Sequence, residues 1–342
     1  MMKTILRSIE YELPENILTN DQLAEAYPEW SSEKVLQKTG IAERHIAAVN
    51  ECASDLAVEA ASKLFASGVC TPDSIDFILF CTQSADYYLP TTACSIQQRL
   101  DIPKSAGALD FNLGCSGYVY GLGLAKGLIE TEQAENVLLL TADTYSKYIH
   151  PQDRGVRTLF GDAGSATLIQ RGAIDSAIPG ALNHFVYGTD GAGAENLIVK
   201  TGGSRQRRSA NEQDKVDELA VFRAEDHLYM NGPEIFNFTL QVIPQCMKQI
   251  LAKAHLELEE IDLFVFHQAN AFILENLRKR LKIPSEKFQI TMHHCGNTVS
   301  SSIPIALYHA MQEGKLKKGA KVLLLGFGVG YSWGGCIVEW AI

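Results

Sequence analysis

Several features are missing from this 342-residue sequence. None of its eight cysteines (Cys52, Cys70, Cys81, Cys94, Cys115, Cys246, Cys295 and Cys336) pairs with another at the C-x-x-C spacing of a thiolate zinc site, so no metal is expected. A chain of this length can bury a core without a disulfide framework, and reduced thiols in a cytoplasmic setting are the expectation. No apolar run reaches the roughly 20 residues of a membrane span. The opening MMKTILRSIEYELPEN has no apolar stretch of the secretory-signal kind. Basic excess is also absent. Against 40 Asp and Glu stand 30 Lys and Arg, a formal net charge of −10, which argues against a nucleic-acid binder working by bulk charge. The remainder, 46% hydrophobic and 20% charged, is the composition of a soluble globular protein.

Short apolar runs alternate with helical periodicity along the chain. Strands are expected at 2–12, 75–81, 137–141 and 165–169, and helices at 56–65 and 91–100. Residues 40–48 read as an irregular or extended connector, and 154–164 as a loop. The stretch 194–230, with Arg205, Arg207 and Arg208, reads as a solvated loop or, less simply, a partner site. The second half repeats the first. SIDFILFCTQSAD aligns with EIDLFVFHQANA at a separation of 186 residues, and ENVLLLTAD with AKVLLLGFG at 185. Gly114 and Gly296, 182 residues apart, each precede an apolar helix. Two homologous α/β halves follow, 1–175 and 176–342, with mainly parallel sheets buried on both faces. At these separations Cys115 corresponds to Asn297 and Cys81 to His267. A pseudo-twofold would bring the three polar groups Cys115, Asn297 and His267 to one place.

Cys115 lies in ALDFNLGCSGYVYGLGLAKGLIE, where a strand turns sharply into a helix. Glycines on both sides permit the turn, and a helix N-terminus favours thiolate, the form that attacks carbonyl carbon. The plainer alternative is one more buried small residue. His267 ends an apolar run, as a core histidine or a functional one. Asn297 either serves the site or caps the helix through Ile305, Leu307 and Met311. The glycine-rich run 326–335 follows a strand with no helix after it. A turn aiming N–H groups into a site, as an oxyanion hole requires, suits it better than a nucleotide loop.

These residues together resemble the beta-ketoacyl-acyl carrier protein synthase III family of the thiolase-like superfamily. The matches are NLGCSG around Cys115, HQAN at 267–270, GNT at 296–298, GFGVGYSWG at 326–334, KTGIAERHIA at 38–47 and FGDAGSA at 160–166. The resemblance implies a thiolase-like α/β fold of two duplicated halves, with mixed, mainly parallel five-stranded sheets in αβαβα layers. The implied chemistry is a decarboxylative Claisen condensation. Cys115 takes an acyl group from a thioester; His267 and Asn297 bind the carbonyl of malonyl-acyl carrier protein as CO₂ leaves; backbone N–H groups of Cys115 and Val329 hold the oxyanion. No permanently bound cofactor is implied, with acyl-CoA or acyl-carrier protein and malonyl-acyl carrier protein as substrates. Implied substrate-contact positions are Leu89, Arg154, Leu159, Phe236, Ala269 and Asn270. Arg278, Lys279, Arg280 and Lys282 are implied to dock the carrier protein. A homodimer is implied, with Leu89 reaching the partner subunit's acyl pocket.

The sequence also departs from the family pattern. By register Lys34 stands where the family has the tryptophan that, with an arginine matching Arg154, stacks on the adenine of coenzyme A; Trp30 lies four residues earlier. Lys38 replaces an arginine, Pro233 an asparagine on the pantetheine arm, Phe272 an arginine, and Val329 a glycine. These changes predict that acyl-carrier protein loads Cys115 more efficiently than acyl-CoA. An acyltransferase or ester-forming relative without decarboxylation is the alternative, and a non-catalytic subunit of a heterodimer a more distant one.

Overall fold

The computed structural model describes residues 3–172, 181–208, 213–218 and 221–341. Runs of aliphatic residues too short for a helix form its strands. In Asn136–Asp143 and Lys321–Gly328 every residue after the first is buried, because both faces of each sheet are covered. Successive side chains go to opposite faces. Val137 and Leu139 enter a central core, while Leu138 and Leu140 pack under the helices Ala53–Ala66 and Thr92–Arg99. In the second half Val322 and Leu324 join the same central core, and Leu323 and Leu325 face the helices Gly232–Ala254 and Ala271–Arg280. The central layer is filled by helices Gly117–Glu130 and Ser302–Gln312. Five layers result: helix, sheet, helix, sheet, helix.

The first sheet has the order Lys3–Glu12, Ala163–Gly172, Asn136–Asp143, Phe77–Cys81, Gly107–Phe111. The second runs Leu182–Thr189, Ser332–Glu339, Lys321–Gly328, Leu263–Phe266 in the equivalent direction. Cross-strand register carries the duplication. Phe77 pairs with Val137, and Leu263 pairs with Val322, the same separations that align the halves in sequence. Asp76 accepts the N–H groups of Glu135 and Asn136 at 2.8 Å, and its counterpart Asp262 accepts the Lys321 N–H at 2.8 Å.

Two details differ from expectation. Among the described residues the second sheet has four strands; its fifth position shrinks to a single parallel bridge between Phe264 and Phe288. The sheets are mixed, as expected, but parallel pairings do not predominate in them. Phe77–Cys81 runs parallel to both its neighbours, but Ala163–Gly172 and Ser332–Glu339 are antiparallel to both of theirs. The physical reason is the connection: Lys321–Gly328 and Ser332–Glu339 are joined by a three-residue turn, which only antiparallel strands allow. The boundary expected between 175 and 176 lies outside the described residues, as do 209–212 of the basic-acidic loop. The 40–48 connector contains a strand, Glu43–Ile46, paired with Asn16–Thr19. The 154–164 loop begins with the short helix Arg154–Arg157, capped by the Asp153 carboxylate.

Candidate active site

Cys115 precedes the helix Gly117–Glu130 by two residues and is buried. Its elbow is set by close packing rather than by the turn alone. A Cβ on Gly117 would stand 2.2 Å from the Cys81 sulfur, and one on Gly114 would stand 2.6 Å from Gln83 Oε1. The end of the strand Lys321–Gly328 presses on the other side. A Cβ on Gly326 would meet the Cys115 carbonyl oxygen at 2.8 Å, and one on Gly328 would meet Cys115 Cβ and Sγ at 2.9 Å. Ser116 Oγ and Ser332 Oγ, 2.6 Å apart, tie the elbow to the hairpin. The glycine-rich run is therefore mostly strand, with only 329–331 as the turn. It brings Val329 against the apolar group that contains Cys115.

His267 continues the line of Leu263–Phe266, its N–H donating to the Leu325 carbonyl at 2.7 Å. Nδ1 lies 2.7 Å from Ser302 Oγ, so a ligand in the cavity meets Nε2. The Phe327 ring stands edge-on to the imidazole, centroids 5.5 Å apart. Burial pushes the imidazole down to about 3, with the Val299 backbone opposing, so it is neutral at ordinary pH. Gln268 braces this segment by donating to the Phe266 and Gln289 carbonyls and accepting from the Thr291 N–H.

Asn297 is clamped by its backbone. Its N–H donates to the Leu159 carbonyl at 2.9 Å, and its carbonyl accepts from the Gly161 N–H at 3.1 Å. Gly296 makes that approach possible: φ is +71°, and a Cβ would stand 2.8 Å from the Leu159 oxygen. Buried Arg44 holds the same loop from behind, donating to the Thr158 carbonyl through Nε and Nη2 at 3.1 and 2.6 Å. The Asn297 side chain does not cap the long helix, which starts at Ser302. Its Oδ1 accepts the Val299 N–H at 3.0 Å, which fixes the amide and leaves the Nδ2 hydrogens to donate elsewhere.

Cys115, His267 and Asn297 line one cavity of about 150 Å³. Leu159, Ala269 and Asn270 line it too, although Asn270 Oδ1 is spent on the Ile273 N–H as a helix cap. Phe160, Leu197, Met230, Gly232, Ile235, Ile273, Phe327 and Gly328 complete the wall. Phe236 is not among the lining residues; its ring leans at 34° against that of Phe272, centroids 5.4 Å apart, while its neighbour Ile235 lines the cavity. Arg154 and Trp30 lie elsewhere and meet each other, the guanidinium 5.5 Å from the indole centroid. Lys34 and Lys38 lie 5.5 and 5.4 Å from the same ring, so the aromatic face beside Arg154 is that of Trp30. Leu89 is exposed, with Tyr87 and Tyr88. Arg278 is committed to Glu275 and the Ile283 carbonyl, whereas Lys279, Arg280 and Lys282 are exposed.

The thiol itself departs from expectation. A helix N-terminus favours thiolate, but burial first and the Asp143 carboxyl second push Cys115 above its ordinary range; its own N–H works the other way. Asp143, Ser300 and Ser302 were not singled out in the sequence. The run of three serines after GNT was the only visible trace of them.

Among the described residues no helix is long and apolar enough to cross a membrane, and no cluster of three or more His, Cys, Asp or Glu is placed to hold a metal ion. Two family models match the chain: 3-oxoacyl-[acyl-carrier-protein (ACP)] synthase III over residues 109–191, and the C-terminal part of the same enzyme over 251–340. The beta-ketoacyl-[acyl-carrier-protein] synthase III of Caldanaerobacter subterraneus subsp. tengcongensis is 37% identical, the match covering 96% of this chain and 95% of the relative. That of Clostridium perfringens is also 37% identical, over 95% and 96%. A crystal structure of a 3-oxoacyl-(acyl-carrier-protein) synthase III superposes with a TM-score of 0.96 at 54% identity, covering 99% of this chain and 100% of the other. A 3-oxoacyl-(acyl-carrier protein) synthase from Burkholderia xenovorans superposes at 0.91 with 36% identity, covering 99% and 94%. With that similarity running through both halves and the elbow, histidine and asparagine converging on one cavity, the chain belongs to the beta-ketoacyl-[acyl-carrier-protein] synthase III family.

Proposed function

We propose that Cys115 carries the acyl group in this condensing enzyme, while His267 and Asn297 act on the malonyl thioester. The reaction is a decarboxylative Claisen condensation of an acyl thioester with malonyl-acyl carrier protein, giving a 3-oxoacyl thioester. In the first half-reaction the Cys115 sulfur attacks the acyl carbonyl, the donor's C–S bond breaks, and the departing thiol carries away the proton. In the second, the malonyl C–C bond to its carboxylate breaks and CO₂ leaves. The electron pair moves into an enolate whose oxygen faces the neutral His267 ring and the Asn297 amide. The enolate carbon then bonds to the acyl carbonyl, the N–H groups of Cys115 and Val329 hold the oxyanion, and collapse frees Cys115. A neutral imidazole in an apolar cavity is suited to donating a hydrogen bond to developing charge, and costs less to bury than imidazolium.

The observation that carries this reading is the shared cavity of Cys115, His267 and Asn297. The presence of both polarising groups favours condensation over simple acyl transfer, which needs no decarboxylating pair. Trp30, Arg154, Lys34 and Lys38 form an aromatic and cationic patch suited to the adenine and phosphates of coenzyme A. Acyl-CoA is therefore proposed as the first donor, in place of the carrier-protein preference suggested by register. Lys279, Arg280 and Lys282 are the proposed carrier-protein contacts. The two halves as units, a homodimer in which Leu89 reaches the partner, and a cytoplasmic setting belong to the same proposal. Intact-protein mass after mixing with acyl-CoA tests it. The wild type should gain one acyl group and Cys115→Ala none; a normal adduct on the variant would overturn the assignment.

A further inference from the structure

One buried charge beside the site is unused in that chemistry. Asp143 ends the strand Asn136–Asp143 and is fully buried. Its Oδ1 accepts the Gln83 N–H at 2.8 Å; its Oδ2 accepts the Ser300 hydroxyl at 2.5 Å and the Ser300 N–H at 3.3 Å. Ser300 follows Val299, whose N–H holds the Asn297 amide. A carboxyl of the first half thus pins the turn that carries Asn297 in the second. The next two serines continue the seam: Ser301 Oγ meets Thr141 Oγ1 at 2.8 Å, and Ser302 Oγ meets His267 Nδ1 at 2.7 Å.

The groups that feel the charge of Asp143 are Cys81 on the neighbouring strand, Cys115 at the elbow, and Tyr145 and Tyr148 beyond its own strand. Asp162 acts on Asp143 in turn. All five are acids. Burial pushes the Asp143 carboxyl up to about 7, against the pull of the Ser300 and Gln83 donors. Gln83, whose N–H Asp143 accepts, packs its Oε1 against Gly114 beside Cys115, so the carboxylate stands next to the elbow and, once ionised, opposes a thiolate there. Acylation replaces that thiol with a neutral thioester and ends the conflict.

We propose that Asp143 is a positioning residue for this site: its buried carboxyl fixes the Asn297 turn through Ser300 and, through Gln83, bears on the Cys115 elbow. This rests on reading Cys115 as the nucleophile. Cys115 reactivity then climbs with pH while Asp143 is protonated and climbs less steeply once Asp143 is ionised.

Alkylation of Cys115 by iodoacetamide, followed by peptide mass, reads that reactivity without any acyl donor, so its failure is distinct from a failure of acyl loading. Asp143→Asn keeps an acceptor for the Gln83 N–H and removes the charge. Its Cys115 should alkylate about tenfold faster than wild type above neutral pH, the size expected of one nearby buried charge, with the difference closing in acid. Ser300→Ala removes the strongest donor and should move the break in the wild-type profile upward by about one pH unit. It should also lower kcat for malonyl decarboxylation more than it changes KM. Superimposable alkylation profiles for folded wild type and Asp143→Asn would overturn the proposal. So would variants slowed by one constant factor at every pH. If Asp143→Asn does not fold, an unmoved break in Ser300→Ala overturns it alone.

Discussion

At the scale of single residues, His267 and Asp143 make opposite demands on stability. His267 has a folded value of about 3 against an ordinary 6.5, so between those limits the unfolded chain takes a proton the folded chain refuses. Stability is lost as pH falls through that window. Asp143 has a folded value of about 7 against an ordinary 3.8, so the folded chain keeps a proton the unfolded chain has released. Stability is gained as pH falls from about 7 to about 4. Each contribution is on the order of 1.4 kcal/mol per pH unit, and the two nearly cancel where they overlap. Asp143→Asn removes only the gain. It should lose stability on acidification from about pH 6.5 to about pH 4 more steeply than wild type in urea denaturation, and equal slopes would contradict the assigned directions. That Cys115, His267 and Asn297 come to one cavity was legible because glycines, an ended apolar run and the duplication mark them locally. Asp143 was not legible: nothing in TAD at a strand end says that its carboxyl is buried and bonded to a serine 157 residues away.

At the scale of elements, the hairpin formed by Lys321–Gly328 and Ser332–Glu339 is what fixes the Cys115 elbow. The sequence showed a glycine-rich run after a strand. It did not show that Gly326 and Gly328 are small because the elbow lies against them, since that requirement comes from residues more than two hundred positions earlier. Gly328→Ala would place a Cβ 2.9 Å from the Cys115 sulfur. Overpacking of this kind costs about 1–3 kcal/mol, and the displaced sulfur should load acyl groups far more slowly. Thermal melts with acyl-loading rates check both; a variant with wild-type loading would show that the elbow yields freely. The strand cores were readable from their apolar runs. The shortened fifth position was not, because the stretch FQIT at 288–291 has the residues of a strand but pairs only through Phe288, and the chain then turns into a short helix at Met292–His294.

At the scale of the whole molecule, the two-half architecture was written in repeats separated by about half the chain, and register in both sheets reproduces it. Register alone could not show that Trp30 lies beside Arg154, because the segment between Trp30 and Thr39 folds as the helix Ser32–Thr39 and turns Lys34 and Lys38 back onto the indole. Trp30→Ala should raise KM for acyl-CoA by roughly tenfold and leave acyl-pantetheine unaffected; equal effects on both would place the patch outside donor binding. Charge reversal at Lys279 and Arg280 should raise KM for malonyl-acyl carrier protein, steeply at low salt and less at high salt. An unchanged KM would move the docking surface elsewhere. The exposed Tyr87, Tyr88 and Leu89 predict a dimer by sedimentation at micromolar concentration, against a monomer if that face is free. The division of labour within the cavity is tested most directly by measuring the two half-reactions separately in His267→Ala and Asn297→Ala: acyl transfer to Cys115 by intact mass, and CO₂ release from malonyl-acyl carrier protein. The proposed roles predict that acylation persists while decarboxylation falls by at least about a hundredfold, as when an oxyanion donor is removed. Equal loss of both half-reactions would contradict them and make His267 the base that activates Cys115.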